Sequence, residues 1–232
     1  RRSFTTGPRH YGAISRYSGL NRLLIIGDGG HGVFAAEAAA EAGDWETIEF
    51  LDDNPAGSEV LGFPVIGPVS DMTTHLDDST AVLIALGNNS RRLELLERAA
   101  NAGGRLATVI HPSAQVSRSA SIGAGGAVFA GAIVNARAKI GLGAILNTGA
   151  TVDHDCVIGD AVHISPGVNL AGEVTVGDCS WIGIGASVRE GISIGRNCIV
   201  GAGAAVVADV TDGANVGGVP AKELTASDDG SR

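Results

Sequence analysis

The chain has 232 residues, of which 44% are hydrophobic but only 4% aromatic, and 35 are glycine. It has room for one large or two modest domains, with a core of small and aliphatic side chains. A formal charge of −9 without a basic stripe excludes a nucleic-acid partner, so an anionic ligand must be gripped by local donors rather than by the overall field. No apolar run approaches the length of a membrane span, and Cys156, Cys179 and Cys198 follow no CxxC spacing; this reads as a cytoplasmic protein with reduced thiols and no membrane attachment.

Residues 1–20 carry Arg1, Arg2, Arg9 and Arg16 and no acid. Lacking the apolar stretch of a secretory signal, they are expected to form a flexible arm. Residues 21–109 change character. An apolar run beginning at Leu23 leads into Gly27-Asp28-Gly29-Gly30-His31-Gly32 and then an alanine-rich stretch to about Gly43, which is the pattern of strand, glycine loop and helix. Strands are expected at Thr47 to Leu51, Leu61 to Gly67 and Ala81 to Leu86, a helix from Arg91 to Ala102, and a last strand from Ala107 to Ile110. This β-α-β-β-β-α-β order predicts a small α/β, Rossmann-like domain with its ligand at the carboxyl ends of the strands. Gly27, Gly29 and Gly32 satisfy G-x-G-x-x-G, with Asp52 and Asp53 following the next strand. The physics is less specific than the motif: glycines let the backbone approach a pyrophosphate, and free N–H groups at a helix start hold it. A dinucleotide, a nucleotide-linked substrate and a purely structural turn all satisfy it. Gly27, Gly29, Gly30, His31, Asp52, Asp53 and Asn88 are the candidate ligand-binding residues, although a strand-end turn accounts for the two aspartates nearly as well.

From Ile110 to Val206 every sixth residue is aliphatic without a miss, and the residue two places earlier is mostly small or apolar. That is the repeat of a parallel β-helix, spanning residues 110–210. Ile/Val-Gly pairs recur every eighteen residues at Gly123, Gly141, Gly159, Gly177 and Gly195, so three hexapeptides make one coil of a three-sided column. Residues 211–232 close it with Gly218-Val219-Pro220-Ala221-Lys222 and a polar tail. Since exposed sheet edges invite pairing, the N-terminal domain is expected to cover one end of the column and this tail the other.

Within the column, Asn147-Thr148-Gly149 and Asp153-His154-Asp155-Cys156 stand out. A histidine beside carboxylates that fix its tautomer is a candidate general base. His163 follows His154 by half a coil, so the two must point to opposite sides of one column. They can serve one reaction only if a neighbouring subunit of a cyclic trimer supplies the second. By the same spacing Gly172 stacks on His154, its N–H near the same cleft, and Asn147 lies near His163. A catalytic zinc site would need three histidines, where the coils offer two, with His111 at the junction; no metal is expected.

These motifs, together with Phe50-Leu51-Asp52-Asp53, Ile84-Ala85-Leu86-Gly87-Asn88-Asn89, Ile110-His111-Pro112 and Gly218 to Lys222, resemble those of bacterial nucleotide-sugar N-acetyltransferases of the bacillosamine and perosamine type, close to sialic acid O-acetyltransferases. The resemblance covers about 21 to 224. It implies a left-handed winding and a homotrimer. It also implies acetyl-CoA between adjacent columns, with His163, Gly172, Pro220 and Lys222 as its contacts, and a UDP- or GDP-linked 4-amino sugar on the N-terminal domain with its amine directed at His154. Some relatives carry glutamate where this chain has Asp153 and Asp155, so which aspartate orients the imidazole stays open. Sugar O-acetylation and a non-enzymatic nucleotide-sugar-binding trimer are the rival expectations.

Overall fold

The computed structural model describes residues 19–53 and 58–224. The expected arm, apart from its last two residues, and the polar tail from Ser227 lie outside these. The N-terminal unit runs β1 (Arg22–Ile26), α1 (Gly30–Ala42), β2 (Thr47–Leu51), β3 (Glu59–Val60), β4 (Phe63–Gly67), a 3₁₀ turn (Val69–His75), β5 (Thr80–Ile84), α2 (Asn89–Asn101) and β6 (Arg105–Leu106). Its sheet has the order β3-β4-β2-β1-β5-β6, parallel except for the β3–β4 hairpin. β1 and β5 are buried along almost their whole length, which explains their unbroken aliphatic sequence. β1 lies between β2 and β5, so the loops that follow β1 and β5 flank the point where the winding reverses, the usual ligand crevice of such sheets.

The second unit is the left-handed parallel β-helix. Its three faces start at Val109–Ile110, Gln115–Val116 and Ser121–Ile122, and strands pair in parallel with the one eighteen residues on, until the last coil, where Ile199–Val200 pairs with Asn215–Val216 and Ile194 with Val210, each sixteen on. The sixth-residue aliphatics form one continuous core with the small residues between them, such as Ala132, Ala150, Cys156 and Cys198. Side chains confirm the stacking period: Asn135 donates to Asp153, and Thr151 to Asn169, each across eighteen residues.

The corners of the column are left-handed. Every sixth residue from Gly125 to Gly203 has positive φ, and six of these are not glycine: Arg137, Asp155, Ala161, Glu173, Cys179 and Asn197. The left-handed region costs an L-residue roughly 1–2 kcal/mol, which the column accepts at each such corner. The Ile/Val-Gly glycines serve another purpose. A Cβ on Gly123 would lie 2.6 Å from the Gly141 carbonyl carbon, and one on Gly141 equally close to that of Gly159. Glycine is needed there because successive coils touch backbone to backbone.

One expectation is corrected. The N-terminal domain does not cap the column; it lies against the flank. Leu23, Ile25, Ala35 and Phe50 share a core cluster with Val109, Ala127, Phe129 and Ile145 of the first face. The first coil keeps Ile110, Val116 and Ile122 only partly buried, around an open cavity of about 340 Å³. Apolar surface on the side of the column outweighs the open end as a docking site, because the first face offers several coils of it. At the far end Asn215–Gly217 pairs antiparallel with Lys222–Glu223, and Ala221 packs against the column core.

Candidate active site

The N-terminal crevice is built by glycine. Gly27 has φ +102, and a Cβ on Gly32 would collide with the Gly27 carbonyl oxygen, so the loop passes directly against the start of α1. Asp28 N–H donates to Asp52 Oδ2 at 2.9 Å, Val69 N–H to Asp53 Oδ1 at 3.1 Å, and Arg91 N–H to Asn88 Oδ1 at 2.9 Å. Asp52, Asp53 and Asn88 therefore each use an oxygen to hold backbone: two strand-end turns and the N-cap of α2. The α1 start leaves backbone donors near Gly29, Gly30 and His31, with a partial positive charge to attract an anion.

His31, in that first turn, meets the column. Its ring stands edge-on to Phe129 at 5.1 Å and lies 6.1 Å from His163, which stacks on Trp181 at 5.2 Å with the planes 9° apart. Asn147 Oδ1 accepts from Thr148 N–H at 2.8 Å, which turns its Nδ2 toward His163 Nε2 at 3.3 Å. With Nε2 accepting, the proton of neutral His163 sits on Nδ1, which is buried and has no partner among the described residues. Burial, then the neighbouring positive charge of Arg92, pushes the His163 pKa down to about 4. Burial, then His163, then Arg92, pushes that of His31 to about 3. Both rings are neutral near pH 7.

His154 occupies a different corner, after the second-face strand Thr151–Val152. Val152 and Cys156 point inward and are fully buried; His154 sits in the corner between them, next to the left-handed Asp155, with its side chain half exposed. Asp153 Oδ1 accepts from His154 N–H at 2.7 Å and from Asn135 Nδ2 at 2.9 Å. The ring is held by Asp155, whose Oδ2 lies 2.9 Å from Nδ1. Of the two aspartates, Asp155 contacts the imidazole and Asp153 shapes the backbone. Arg137, one coil below, clamps Asp155 through Nε at 2.6 Å and through Nη2. The hydrogen bonds from Arg137 and then His154 hold the Asp155 carboxyl far below the usual range, so it is ionised whenever the imidazole needs it. This leaves Nε2 of His154 as the lone-pair nitrogen, free of hydrogen bonds among the described residues. The ring lies flat on Gly172, where a Cβ would sit 2.6 Å from Cε1.

Thus Asn147 joins His163 and His31 on the first face, while Asp153, Asp155 and Gly172 join His154 at another corner; one chain does not bring the two groups together. Pro220 and Lys222 lie where Ala221 N–H donates to Ala205 O, three coils beyond Thr151 and therefore about 14 Å along the column. Arg137, Asn135 and Trp181 were missed in the sequence. The first two sit eighteen residues before Asp155 and Asp153, so the coil period itself was the signal that could have found them; Trp181 is likewise eighteen residues beyond His163. Among the described residues no group of three or more His, Cys, Asp or Glu is placed to hold a metal, all three cysteines are free, and no helix is long and apolar enough to cross a membrane.

Residues 22–99 match the PglD N-terminal domain and residues 173–208 the bacterial transferase hexapeptide (six repeats). UDP-N-acetylbacillosamine N-acetyltransferase from Bacillus subtilis (strain 168) is 41% identical over 113 residues, 48% of this chain and 52% of that protein, so the match spans about half the length of this relative. The acetyltransferase domain of PglB from Neisseria gonorrhoeae FA1090, in complex with acetyl coenzyme A, is 45% identical with a TM-score of 0.86 over 88% of this chain and 100% of that one. A point mutant of perosamine N-acetyltransferase from Caulobacter crescentus, in complex with CoA and GDP-perosamine, is 41% identical with a TM-score of 0.84 over 88% of this chain and 97% of that one. With such identity along nearly the whole of both solved neighbours, the chain belongs to the hexapeptide-repeat family of nucleotide-sugar N-acetyltransferases.

Proposed function

We propose that this protein transfers the acetyl group of acetyl-CoA to the amine of a nucleotide-linked 4-amino-deoxysugar, as a cytoplasmic homotrimer. The observation that carries the reading is the half-exposed His154 imidazole, fixed through Nδ1 by an Asp155 that Arg137 keeps ionised, with Nε2 making no hydrogen bond among the described residues. The nucleotide diphosphate binds at the glycine loop and the start of α1, beside His31 and His163 of the same chain. Acetyl-CoA runs along the column past His163 toward Pro220 and Lys222. His154 comes from the neighbouring subunit, since its own chain presents it at a different corner.

In this arrangement the sugar amine attacks the thioester carbonyl, a C–N bond forms, and Nε2 of His154 takes the amine proton. A backbone N–H such as that of Gly172 stabilises the oxyanion. The tetrahedral species then expels the CoA thiolate, so no acyl-enzyme intervenes. The solved relatives that hold acetyl coenzyme A, or CoA with GDP-perosamine, support both ligand classes.

Acetyl transfer to UDP- and GDP-4-amino sugars is the test. His154→Ala should lower turnover roughly 10²- to 10⁴-fold; near-normal turnover would remove the base from the scheme. Mixed trimers of His154→Ala and His163→Ala subunits should regain active interfaces absent from either parent. If mixing restores nothing, the two residues do not meet across an interface.

A further inference from the structure

Arg92, in the first turns of α2, is the largest side chain with no exposed surface among the described residues. It makes no ion pair with a carboxylate among the described residues. Its guanidinium is spent on backbone carbonyls: Nε donates to Gly143 O at 2.9 Å, Nη2 to Ala161 O at 2.7 Å, and Nη1 to Leu86 O at 2.7 Å. Nη2 also donates to Asn89 Oδ1 at 2.8 Å, while Asn89 Nδ2 donates to Cys179 O at 3.0 Å and Ser180 O at 3.1 Å. Gly143, Ala161 and Cys179 are three of the positive-φ corners, eighteen residues apart. One turn of helix therefore grips the same corner of three consecutive coils. A buried charge without a counter-ion is expensive, and an apolar residue would fill the space more cheaply. What an apolar residue lacks is the fixed fork of donors that defines an angle and a height.

The chain of contacts continues toward the ligand crevice. Leu86, whose carbonyl Arg92 holds, packs over Gly27, where a Cβ would lie 2.7 Å from Leu86 Cδ2. Asn88, two residues on, caps α2. Column corner, guanidinium, loop after β5 and glycine loop after β1 thus form one rigid path.

We infer that Arg92, seconded by Asn89, is a positioning residue for acetyl transfer: it sets the height and tilt of the nucleotide-binding loops on the column, and so where the acceptor amine stands relative to the thioester. This rests on the function proposed above. In that reading the glycine loop and the start of α1 grip the nucleotide and the column grips CoA, so the affinity of either one alone depends little on the setting. The ternary geometry does, and a misplacement of about 1 Å there costs roughly 10²-fold.

The test uses full-length Arg92→Met, Arg92→Lys and Asn89→Ala. Calorimetric Kd values for UDP or GDP alone, and for CoA alone, should stay within about threefold of wild type, while kcat with the nucleotide amino sugar falls roughly 10²-fold in Arg92→Met. Arg92→Lys keeps the charge but not the fork and should recover less than about tenfold of that loss. Wild-type kcat in a trimeric Arg92→Met, or Kd values that collapse along with kcat, would overturn the inference. Should Arg92→Met fail to assemble, Asn89→Ala decides: it loses only the Cys179 and Ser180 bonds and its support of Arg92, and unchanged kcat there sinks the idea. If the wild type acetylates no nucleotide amino sugar, the functional reading fails by itself. The positioning claim is then judged from a crystal structure of the Arg92→Met or Asn89→Ala variant: the 27–32 loop should shift against His163 by about 1 Å or more, and an unmoved loop refutes it.

Discussion

A single methyl group added at Gly172 isolates the orientation of the proposed base from its chemistry. An alanine Cβ there would stand 2.6 Å from Cε1, 2.7 Å from Nε2 and 3.2 Å from Nδ1 of His154. Carbon contacts settle at about 3.5–4.0 Å, so the ring must retreat by about 1 Å. It can do so cheaply, because the side chain is half exposed and the Gly172 backbone is not in the left-handed region. Retreat, however, breaks or bends the 2.9 Å contact between Nδ1 and Asp155 and carries Nε2 off line. Gly172→Ala should therefore keep its melting temperature, with stability changed by about 1 kcal/mol or less, while kcat falls roughly 10²-fold. CoA thiol release from acetyl-CoA in the presence of the amino sugar reads kcat, and a thermal melt reads the fold. Wild-type kcat in the variant would refute the reasoning, as would a loss of activity fully accounted for by unfolding.

Two further perturbations probe the electrostatics. Removing the guanidinium in Arg137→Leu takes a cation from beside the Asp155–His154 pair. The Asp155 carboxyl, which the Arg137 hydrogen bond holds down most strongly, should rise and release its hold on the ring at a higher pH, so the acid-side loss of kcat/KM should begin at a higher pH than in wild type; an unmoved acid side would mean that the clamp only holds backbone. His163 titrates at about 6.5 in the unfolded chain and about 4 in the fold. The unfolded state thus binds the extra proton between these values, and folding stability falls as pH drops from 6.5 toward 4, by up to about 3 kcal/mol from this group. His31 acts in the same direction. Melting curves from pH 7 to 4 should fall less steeply in His163→Phe, which keeps the stack on Trp181, than in wild type; parallel curves would contradict the assignment.

The column was legible because its signal is repeated: each sixth aliphatic from Val128 to Val206 lies in the buried core, and only Ile110, Val116 and Ile122 of the open first coil are partly uncovered. The half-coil separation of His154 and His163 and the stacking of Gly172 on His154 followed from the same arithmetic. The left-handed corners were not legible, since Arg137, Glu173 and Cys179 carry no residue-type signature for positive φ. In the N-terminal domain, the glycine loop was readable from residue type, but the uses of Asp52 and Asp53 were not. A strand-end aspartate looks the same whether it faces a ribose or caps a turn. The docking of the domain on the flank depends on Arg92, Asn89, Phe129 and Ile145, whose partners are chosen by tertiary packing alone.

The repeating corner has a consequence for how such an enzyme can change its size. Each coil bonds only to the coils before and after it, and Arg92 and Asn89 engage three of them, ending at Cys179 and Ser180. Eighteen residues spliced in above Asn197 would lengthen the rod by one storey of about 4.8 Å. The histidines and the domain clamp would stay where they are, and only the distance from His154 to the Pro220–Lys222 hairpin would change. Reach along the donor molecule and chemistry at its tip are thereby separable quantities, adjustable by counting storeys rather than by redesigning the catalytic corner.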